Sequence, residues 1–307
     1  MFDKFSHRHL TSISQLSKSD IQTIFKKAEN FLDGNVLKTA QSDVLKEKTV
    51  VLAFFENSTR TRLSFEIAAQ RLGANIVQFQ ANASSVAKGE SLTDTLATIE
   101  AMNVDFFVMR HSVSGAAEFL KDYAKSSIIN AGDGQHEHPT QALLDGFTLQ
   151  NIFKNLEGKK ICIIGDILHS RVARSNISLL KTLGAEIALC APKTLLPNDI
   201  SEWNCEVFKT SDEAVEWADA VNVLRLQKER MESGLLPSLG EFSKYYGISM
   251  RHVLQKPDLV ILHPGPVNYG VEIQYDVANC ENSYIRQQVT NGVAIRMAIL
   301  ELLSENF

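Results

Sequence analysis

The amino-acid sequence predicts an α/β protein with two doubly wound domains, each a parallel sheet covered by helices on both faces. Short apolar runs alternate with stretches of helical periodicity, which is the order that parallel sheets require. This alternation restarts halfway along the chain, and 307 residues suffice for two domains of ordinary size.

The first half of the chain contains the first set of strands and helices. Four apolar runs predict strands, at Thr49–Phe55, Ile76–Phe79, Asp105–Arg110 and Ser127–Asn130. The helix after the first strand is expected to carry Leu63, Ile67 and Ala68 on one apolar face and to end at Gly73.

The second half repeats the pattern after a helix over about residues 140–153, and we expect the hinge between the domains near residues 135–155. Four further apolar runs predict strands, at residues 161–166, 186–190, 220–225 and 258–263. A last helix is expected from about Ser283, but its periodicity does not reveal where it packs.

Composition excludes several classes of protein. A net charge of −5 argues against a general nucleic-acid-binding protein, which would present a basic face. No apolar run approaches the ~20 residues of a membrane span, and the opening MFDKFSHRHL is too polar for a signal peptide. We therefore expect a cytoplasmic protein that is not bound to a membrane.

Polar residues follow the predicted strands at their carboxyl ends, where ligands bind in parallel sheets. The five positions are Ser58, Arg110, His138, Arg225 and His263. Each has a structural alternative when taken alone, such as a solvated arginine or a buried histidine. Together they predict one shared crevice. His136 and His138 lack the further ligands of a metal site, so no metal is expected.

The densest polar segment is STRTR, residues 58–62. A helix that begins near Thr59 has unpaired N–H groups and a positive dipole at its start, and Arg60 adds a planar guanidinium suited to phosphate. The segment therefore predicts an anion site, with a capped surface helix as the alternative. No P-loop is present, and IIGDILHSR lacks the glycine pattern of a dinucleotide site, so no cofactor is expected.

Three segments carry a specific resemblance: FFENSTRTRLSFE (54–66), HPTQALLD (138–145) and HPGPVNYGVEI (263–273). Together they resemble the transcarbamoylase family, which transfers a carbamoyl group from carbamoyl phosphate to an amine. The resemblance runs from about Phe5 to the C-terminus. It implies a carbamoyl-phosphate domain at 1–140, an aspartate domain at 141–284, and a final helix, about 285–307, that returns to the first domain.

The acceptor amine is indicated by the segment NVLRLQKER (222–230), which resembles the branch of the family that uses L-aspartate. The resemblance then implies N-carbamoyl-L-aspartate and phosphate as products, in de novo pyrimidine biosynthesis. Two alternatives stay open: a transferase for ornithine or another amino acid, and a phosphate-responsive binding protein without turnover.

The resemblance also assigns roles to individual residues. Those matched to the carbamoyl-phosphate site are Ser58, Thr59, Arg60, Thr61, Arg110, His138, Gln141, Pro264 and Gly265. Of these, the expected catalytic residues are Arg60, Thr61, Arg110 and His138. Those matched to the aspartate site are Lys88, Arg171, Arg225 and Gln227.

Further matches concern closure and assembly. By resemblance, Glu56 forms a latch with Arg171 and Arg230 of the second domain when the substrates bind. Ser84 and Lys88, in the loop SSVAKGE, match positions that reach a neighbouring subunit's site, which implies a homotrimer with shared active sites. Whether regulatory chains or a pathway enzyme bind that trimer stays open.

The chain departs from the family pattern at two positions. Ala87 stands where some members carry a second lysine, and Tyr269 stands where many carry an arginine. Tyr269 therefore raises the question of how the loop after HPGP is anchored.

Overall fold

The computed structural model describes residues 5–39, 41–80, 90–227 and 238–306. It divides into two compact units: unit 1 comprises Met1–Phe147 and Val289–Phe307, and unit 2 comprises Thr148–Gln288. Unit 2 is thus a continuous insertion between the two parts of unit 1. The predicted class, two parallel sheets flanked by helices, is confirmed.

Unit 1 is built on a four-stranded parallel sheet in the order β4-β3-β5-β6. Its strands are β3 (Thr49–Phe54), β4 (Asn75–Gln80), β5 (Phe106–His111) and β6 (Ser127–Asp133). A separate hairpin pairs β1 (Leu32–Asp33) with β2 (Val36–Leu37). All of β6 is buried, as expected for a parallel strand covered on both faces.

One helix of unit 1 precedes these strands, and the next three each connect two strands of the parallel sheet. They are α1 (Lys18–Glu29), α2 (Thr59–Arg71), α3 (Leu92–Glu100) and α4 (Ala116–Lys121). Two longer helices, α5 (Pro139–Phe153) and α11 (Ile285–Ser304), continue across the boundary between the units.

The expected apolar face of α2 is wrong. Leu63 and Ile67 are exposed, whereas Phe65, Ala68 and Ala69 are fully buried. The buried face of α2 is therefore not the predicted one, and Ala68 is the residue that belongs to both faces. The helix ends as predicted, with Gly73 at a φ of 81° directly after the C-cap.

Unit 2 contains a five-stranded parallel sheet in the order β11-β10-β7-β8-β9. Its strands are β7 (Lys160–Ile164), β8 (Glu186–Cys190), β9 (Glu206–Phe208), β10 (Ala220–Val223) and β11 (Val260–Leu262). Its helices are α6 (Arg171–Thr182), α7 (Ser211–Trp217), α8 (Leu239–Tyr246), α9 (Met250–Gln255) and α10 (Tyr275–Ala278), with two 3-10 turns at Lys193–Leu195 and Ile200–Trp203.

The C-terminal helix α11 packs against unit 1, as the family resemblance implied. Arg296 is buried in that packing, donating from Nη1 to Ser64 Oγ of α2 at 2.8 Å and from Nη2 to Thr140 Oγ1 of α5 at 3.4 Å. The guanidinium also lies 5.1 Å from the centre of the Phe65 ring. One side chain thus connects three helices of unit 1. No helix in the described parts of the chain is long and apolar enough to cross a bilayer.

Candidate functional site

The start of α2 has the features expected of an anion site. Ser58 is the N-cap in an extended conformation, yet its side chain makes no capping hydrogen bond, and the first turn of the helix contains no acidic residue. The positive end of the helix dipole is therefore not offset by a carboxylate of its own first turn. Arg60 is exposed beside it, and Thr61 is buried.

Arg110 lies at the end of β5, where the sheet is irregular. The β5–β6 register shifts between Met109 and His111, so that Ala131 and Gly132 of β6 stand opposite Arg110 alone. This is a β-bulge, a feature that re-aims side chains at strand ends. Arg110 Nη1 lies 3.5 Å from the Ala131 carbonyl, and Nε donates to Glu56 Oε2 at 3.2 Å.

The loop from β6 to α5 is held by Asp133, which is buried. Asp133 Oδ1 accepts from the Glu137 amide at 2.9 Å and from Asn130 Nδ2 at 3.0 Å, and Oδ2 accepts from the Gly115 amide at 2.7 Å. His138 follows this loop directly before α5 and is buried. The Asp133 network therefore fixes the backbone that presents His138.

The first turn of α5 presents Gln141. Its backbone N–H donates to the His138 carbonyl at 3.0 Å, and its side-chain Nε2 donates to Asp145 Oδ1 at 2.9 Å. Both Gln141 and Asp145 are buried. The amide of Gln141 thus has its nitrogen held by a carboxylate one turn further along the helix.

In unit 2, Asp166 follows β7 and organises the start of α6. Its Oδ1 contacts His169 Nδ1 at 2.8 Å, and its Oδ2 accepts from the Gln227 amide at 3.4 Å. Burial raises the pKa of Asp166, and the interaction with His169 opposes that rise. Gln227 Nε2 donates to the His169 carbonyl at 3.2 Å. Asp166 therefore links the turn before Arg171, the first residue of α6, to the segment that contains Gln227.

Gly165, just before Asp166, allows the backbone at Leu224 to approach closely. Its φ is +126°, and an added Cβ would lie 2.8 Å from the Leu224 carbonyl oxygen. A side chain there would push apart the strand ends that carry Asp166 and Arg225.

The HPGP loop is anchored by a buried pair. His263 Nδ1 accepts from the Gly265 amide at 2.8 Å, and Nε2 lies 3.2 Å from Glu272 Oε1. Glu272 also accepts from the Asn268 amide at 2.6 Å. Tyr269 is exposed and packs edge-on against Tyr275. The loop is therefore held by His263 and Glu272, which answers the question that Tyr269 raised.

The structure groups the predicted site residues by unit. In unit 1, Ser58 and His138 follow β3 and β6, and Arg110 is the last residue but one of β5. These three strands are neighbours in the sheet, so the polar groups share its carboxyl edge. In unit 2, Arg225 and His263 follow the adjacent strands β10 and β11. Ser84, Lys88 and Arg230 lie outside the described residues.

Sequence reasoning missed some of the supporting residues. Asp145 had a detectable signal, because it lies four residues after Gln141 and therefore on the same face of a helix. The Glu56–Arg110 pair had no signal in the sequence, since 54 residues separate its members. Among the described residues, no cluster of three or more His, Cys, Asp or Glu side chains is arranged to hold a metal ion.

Comparison with known families matches both halves of the chain. Residues 8–151 match the aspartate/ornithine carbamoyltransferase, carbamoyl-P binding domain, and residues 157–303 match the corresponding Asp/Orn binding domain. The two matches together span most of the chain.

Individual proteins resemble the chain over nearly its whole length. The aspartate carbamoyltransferase catalytic subunit of Maricaulis maris is 53% identical over 98% of this chain and 95% of its own. That of Gemmatimonas aurantiaca is 51% identical over 97% and 93%.

Solved structures of aspartate transcarbamoylases also resemble the chain. The catalytic subunit of M. jannaschii aspartate transcarbamoylase superposes with a TM-score of 0.84 at 35% identity, covering 98% of this chain and 99% of that one. The Trypanosoma cruzi enzyme in complex with carbamoyl phosphate and aspartate gives 0.84 at 31% identity, with the same coverage of both chains.

Proposed function

The chain belongs to the aspartate/ornithine carbamoyltransferase family, and from this we infer that it transfers the carbamoyl group of carbamoyl phosphate to the amine of L-aspartate. The products are N-carbamoyl-L-aspartate and phosphate, in de novo pyrimidine biosynthesis. The observation that carries the inference is 53% identity to an aspartate carbamoyltransferase catalytic subunit over 98% of the chain. The curated relatives favour aspartate over the ornithine alternative.

Carbamoyl phosphate is proposed to bind the first domain, residues 1–140 with 285–307, and aspartate the second, residues 141–284. The phosphoryl group lies at the start of α2, where Ser58, Thr59, Arg60 and Thr61 supply N–H, hydroxyl and guanidinium donors. The first turn of α2, with no acid and with the Ser58 hydroxyl not used in capping, supports this placement.

The reaction creates negative charge on the carbonyl oxygen as the neutral amine attacks. Arg110, His138 and Thr61 are proposed to donate to that oxygen, so that fixed donors stabilise the tetrahedral intermediate. Glu56 on Arg110 and Asp133 beneath the His138 loop support this role, because they hold the two donors in place before substrate arrives.

The carbamoyl NH2 group needs acceptors. We assign these to Gln141 and to the backbone carbonyls of Pro264 and Gly265. The anchoring of the HPGP loop by His263 and Glu272 supports the assignment, since it limits the movement of both carbonyls. Holding two substrates with fixed groups converts their encounter into an effectively unimolecular step.

Aspartate carries two carboxylates and requires cations. Arg171 is assigned to the α-carboxylate, and Arg225 with Gln227 to the β-carboxylate. Gln227 has a second amide hydrogen to donate while it holds the His169 carbonyl. Lys88 is assigned to the same substrate.

A latch is proposed to order these events. Glu56 pairs with Arg110 in this structure, and by family resemblance it would exchange that partner for Arg171 and Arg230 once carbamoyl phosphate occupies Arg110. The exchange would order the aspartate site after carbamoyl phosphate has bound.

A homotrimer with shared sites is also proposed, with Ser84 and Lys88 reaching the neighbouring subunit's site. Exposed apolar residues on α2 and on the edge strand β4 support an interface there: Leu63 is 45% exposed, Ile67 40% and Val77 49%. We further propose that the trimer is cytoplasmic, that regulatory or pathway-enzyme chains are its candidate partners, and that it binds neither nucleic acid nor membranes.

The test is an assay of the purified chain with carbamoyl phosphate and either aspartate or ornithine. We expect carbamoylaspartate and stoichiometric phosphate, with no product from ornithine. Product from ornithine alone would assign the other branch of the family. Phosphate binding without product from any amine would assign the non-catalytic alternative.

A further inference from the structure

One buried carboxylate next to the proposed carbamoyl site has no role in the mechanism above. Asp145 is fully buried and accepts from Gln141 Nε2 at 2.9 Å. The two residues lie four apart on α5, so the helix itself keeps them in contact. Asp145 can therefore determine the orientation of the Gln141 amide.

A buried cation interacts with the charge of Asp145. Arg296 of α11 is buried, and its charge interacts favourably with that of Asp145. Burial lowers the pKa of Arg296 to about 10, which still leaves it protonated at neutral pH. A buried guanidinium and a buried carboxylate each require such compensation.

An ionised carboxylate only accepts hydrogen bonds, so it can hold the nitrogen of a primary amide but not its oxygen. With Nε2 held by Asp145, the Gln141 oxygen is the end of the amide that points away from Asp145. An oxygen in that position accepts from an –NH2 group and offers nothing to a methyl group.

We propose that Asp145 is a positioning residue that fixes the Gln141 amide with its oxygen toward the substrate, so that the site selects carbamoyl phosphate over acyl phosphates that lack the NH2 group. This inference rests on the proposed function, because it assumes that Gln141 faces the carbamoyl group. Arg296 contributes by compensating the charge of Asp145 and by connecting α5 to α2 through Thr140 and Ser64.

The test compares carbamoyl phosphate with acetyl phosphate, in which a methyl group replaces the NH2. In Asp145→Asn, the neighbour of Gln141 is itself an amide, so it no longer enforces one orientation. We expect the KM for carbamoyl phosphate to rise about tenfold. The competitive inhibition constants of acetyl phosphate and of inorganic phosphate should stay within about twofold of the wild-type values.

A double-mutant cycle distinguishes this positioning role from a general disturbance of the binding site. In a Gln141→Ala background, Asp145→Asn should change the preference for carbamoyl over acetyl phosphate by less than about twofold, because the group through which it acts is gone. Equal weakening of both ligands by Asp145→Asn, or a full effect that persists in Gln141→Ala, would overturn the proposal.

A second variant covers the case in which Asp145→Asn alone does not fold. Gln141→Glu with Asp145→Asn keeps the local charge constant and reverses the donor and the acceptor, while a carboxylate oxygen at position 141 remains available to the substrate. It should bind carbamoyl phosphate more tightly than Gln141→Glu alone. If the double variant does not bind carbamoyl phosphate more tightly, or if neither Asp145 variant folds, the proposal is wrong and Asp145 only stabilises the fold. Absence of turnover by the wild-type chain would instead count against the proposed function.

Discussion

At the scale of single residues, carboxylates hold the proposed donors and acceptors of the site. Glu56 contacts Arg110, Asp133 holds the backbone before His138, and Asp145 holds the Gln141 amide. In unit 2, Asp166 does the same for the turn before Arg171. Each acid limits the movement of a group that is proposed to meet substrate in one geometry, and such preorganisation lowers a reaction barrier.

Arg60 is the residue at which the anion site is most directly tested. Arg60→Ala removes one fixed charge donor, and we expect turnover to fall ~10²–10³-fold with the fold intact. Arg71→Ala, at the opposite end of α2, is the matched control and should keep wild-type activity. Steady-state rates and circular dichroism of both variants check this. Near-normal activity of Arg60→Ala would mean that the start of α2 does not bind the phosphate.

Gln227 tests the aspartate assignment. Gln227→Ala should raise the KM for aspartate clearly more than the KM for carbamoyl phosphate, because its proposed partner is the β-carboxylate. The comparison requires saturation curves for each substrate with the other held constant. An unchanged KM for aspartate would contradict the assignment of Arg225 with Gln227.

Short motifs indicate the candidate donors, and the residues that support these donors can be predicted only when they are close in sequence. STRTR indicates an anion site because its composition exceeds what helix capping needs, whereas HPTQ is indicated by the family resemblance. Asp145 is recoverable from its spacing to Gln141. The contact of Arg296 with Ser64 joins positions 232 residues apart, and no periodicity in the sequence connects them.

At the scale of secondary-structure elements, strand prediction was close because buried parallel strands are continuous apolar runs. The prediction Thr49–Phe55 compares with β3 at Thr49–Phe54, and residues 186–190 coincide with β8. The face of α2 was wrong for a physical reason. Leu63 and Ile67 are apolar whether they face a core or another molecule, so periodicity alone cannot separate the two.

The start of α9 supplies a pH-dependent element. His252 is fully buried; its Nδ1 accepts from the Ser249 amide at 3.0 Å, and its Nε2 lies 2.9 Å from Asp212 Oδ1. Burial lowers the pKa of His252 below 6.5, and Asp212 offsets this only in part. Protonation of Nδ1 would replace the acceptor of the Ser249 N–H with a second donor.

The sign of the effect follows from this pKa. Below pH 6.5 the unfolded chain binds the proton more readily than the folded one, so stability is full above pH 6.5 and falls as the pH drops toward the folded pKa. Melting temperatures at about pH 7.5 and about pH 5.5 should therefore differ less in His252→Gln than in the wild type. The exposed neighbour variant Gln255→Ala should keep the wild-type difference, and an equal difference in His252→Gln would exclude His252 as a contributor.

At the scale of the whole molecule, the proposed trimer makes each active site depend on two subunits. Lys88→Ala and Arg60→Ala trimers should each be nearly inactive. Dissociating and reassociating a mixture should restore about one working site per mixed trimer, because one interface of a closed ring then pairs an intact Lys88 with an intact Arg60.

The control for that experiment mixes Arg60→Ala with Arg110→Ala. Both residues belong to unit 1 of one subunit, so every site in such a hybrid lacks one of them and activity should not rise. Native mass measurement establishes that hybrids are present. No rise in the Lys88 mixture would place Lys88 outside a neighbouring subunit's site.

The insertion of unit 2 between α5 and α11 also determines the order in which the chain can fold as the ribosome makes it. The fully buried residues Ala294, Ile295 and Ala298 belong to unit 1, but they are translated only after the whole of unit 2. Unit 2 is continuous and can complete its core as it emerges. The part of the chain that is made first is therefore the last to close its core, the reverse of the usual N-to-C order of domains during synthesis.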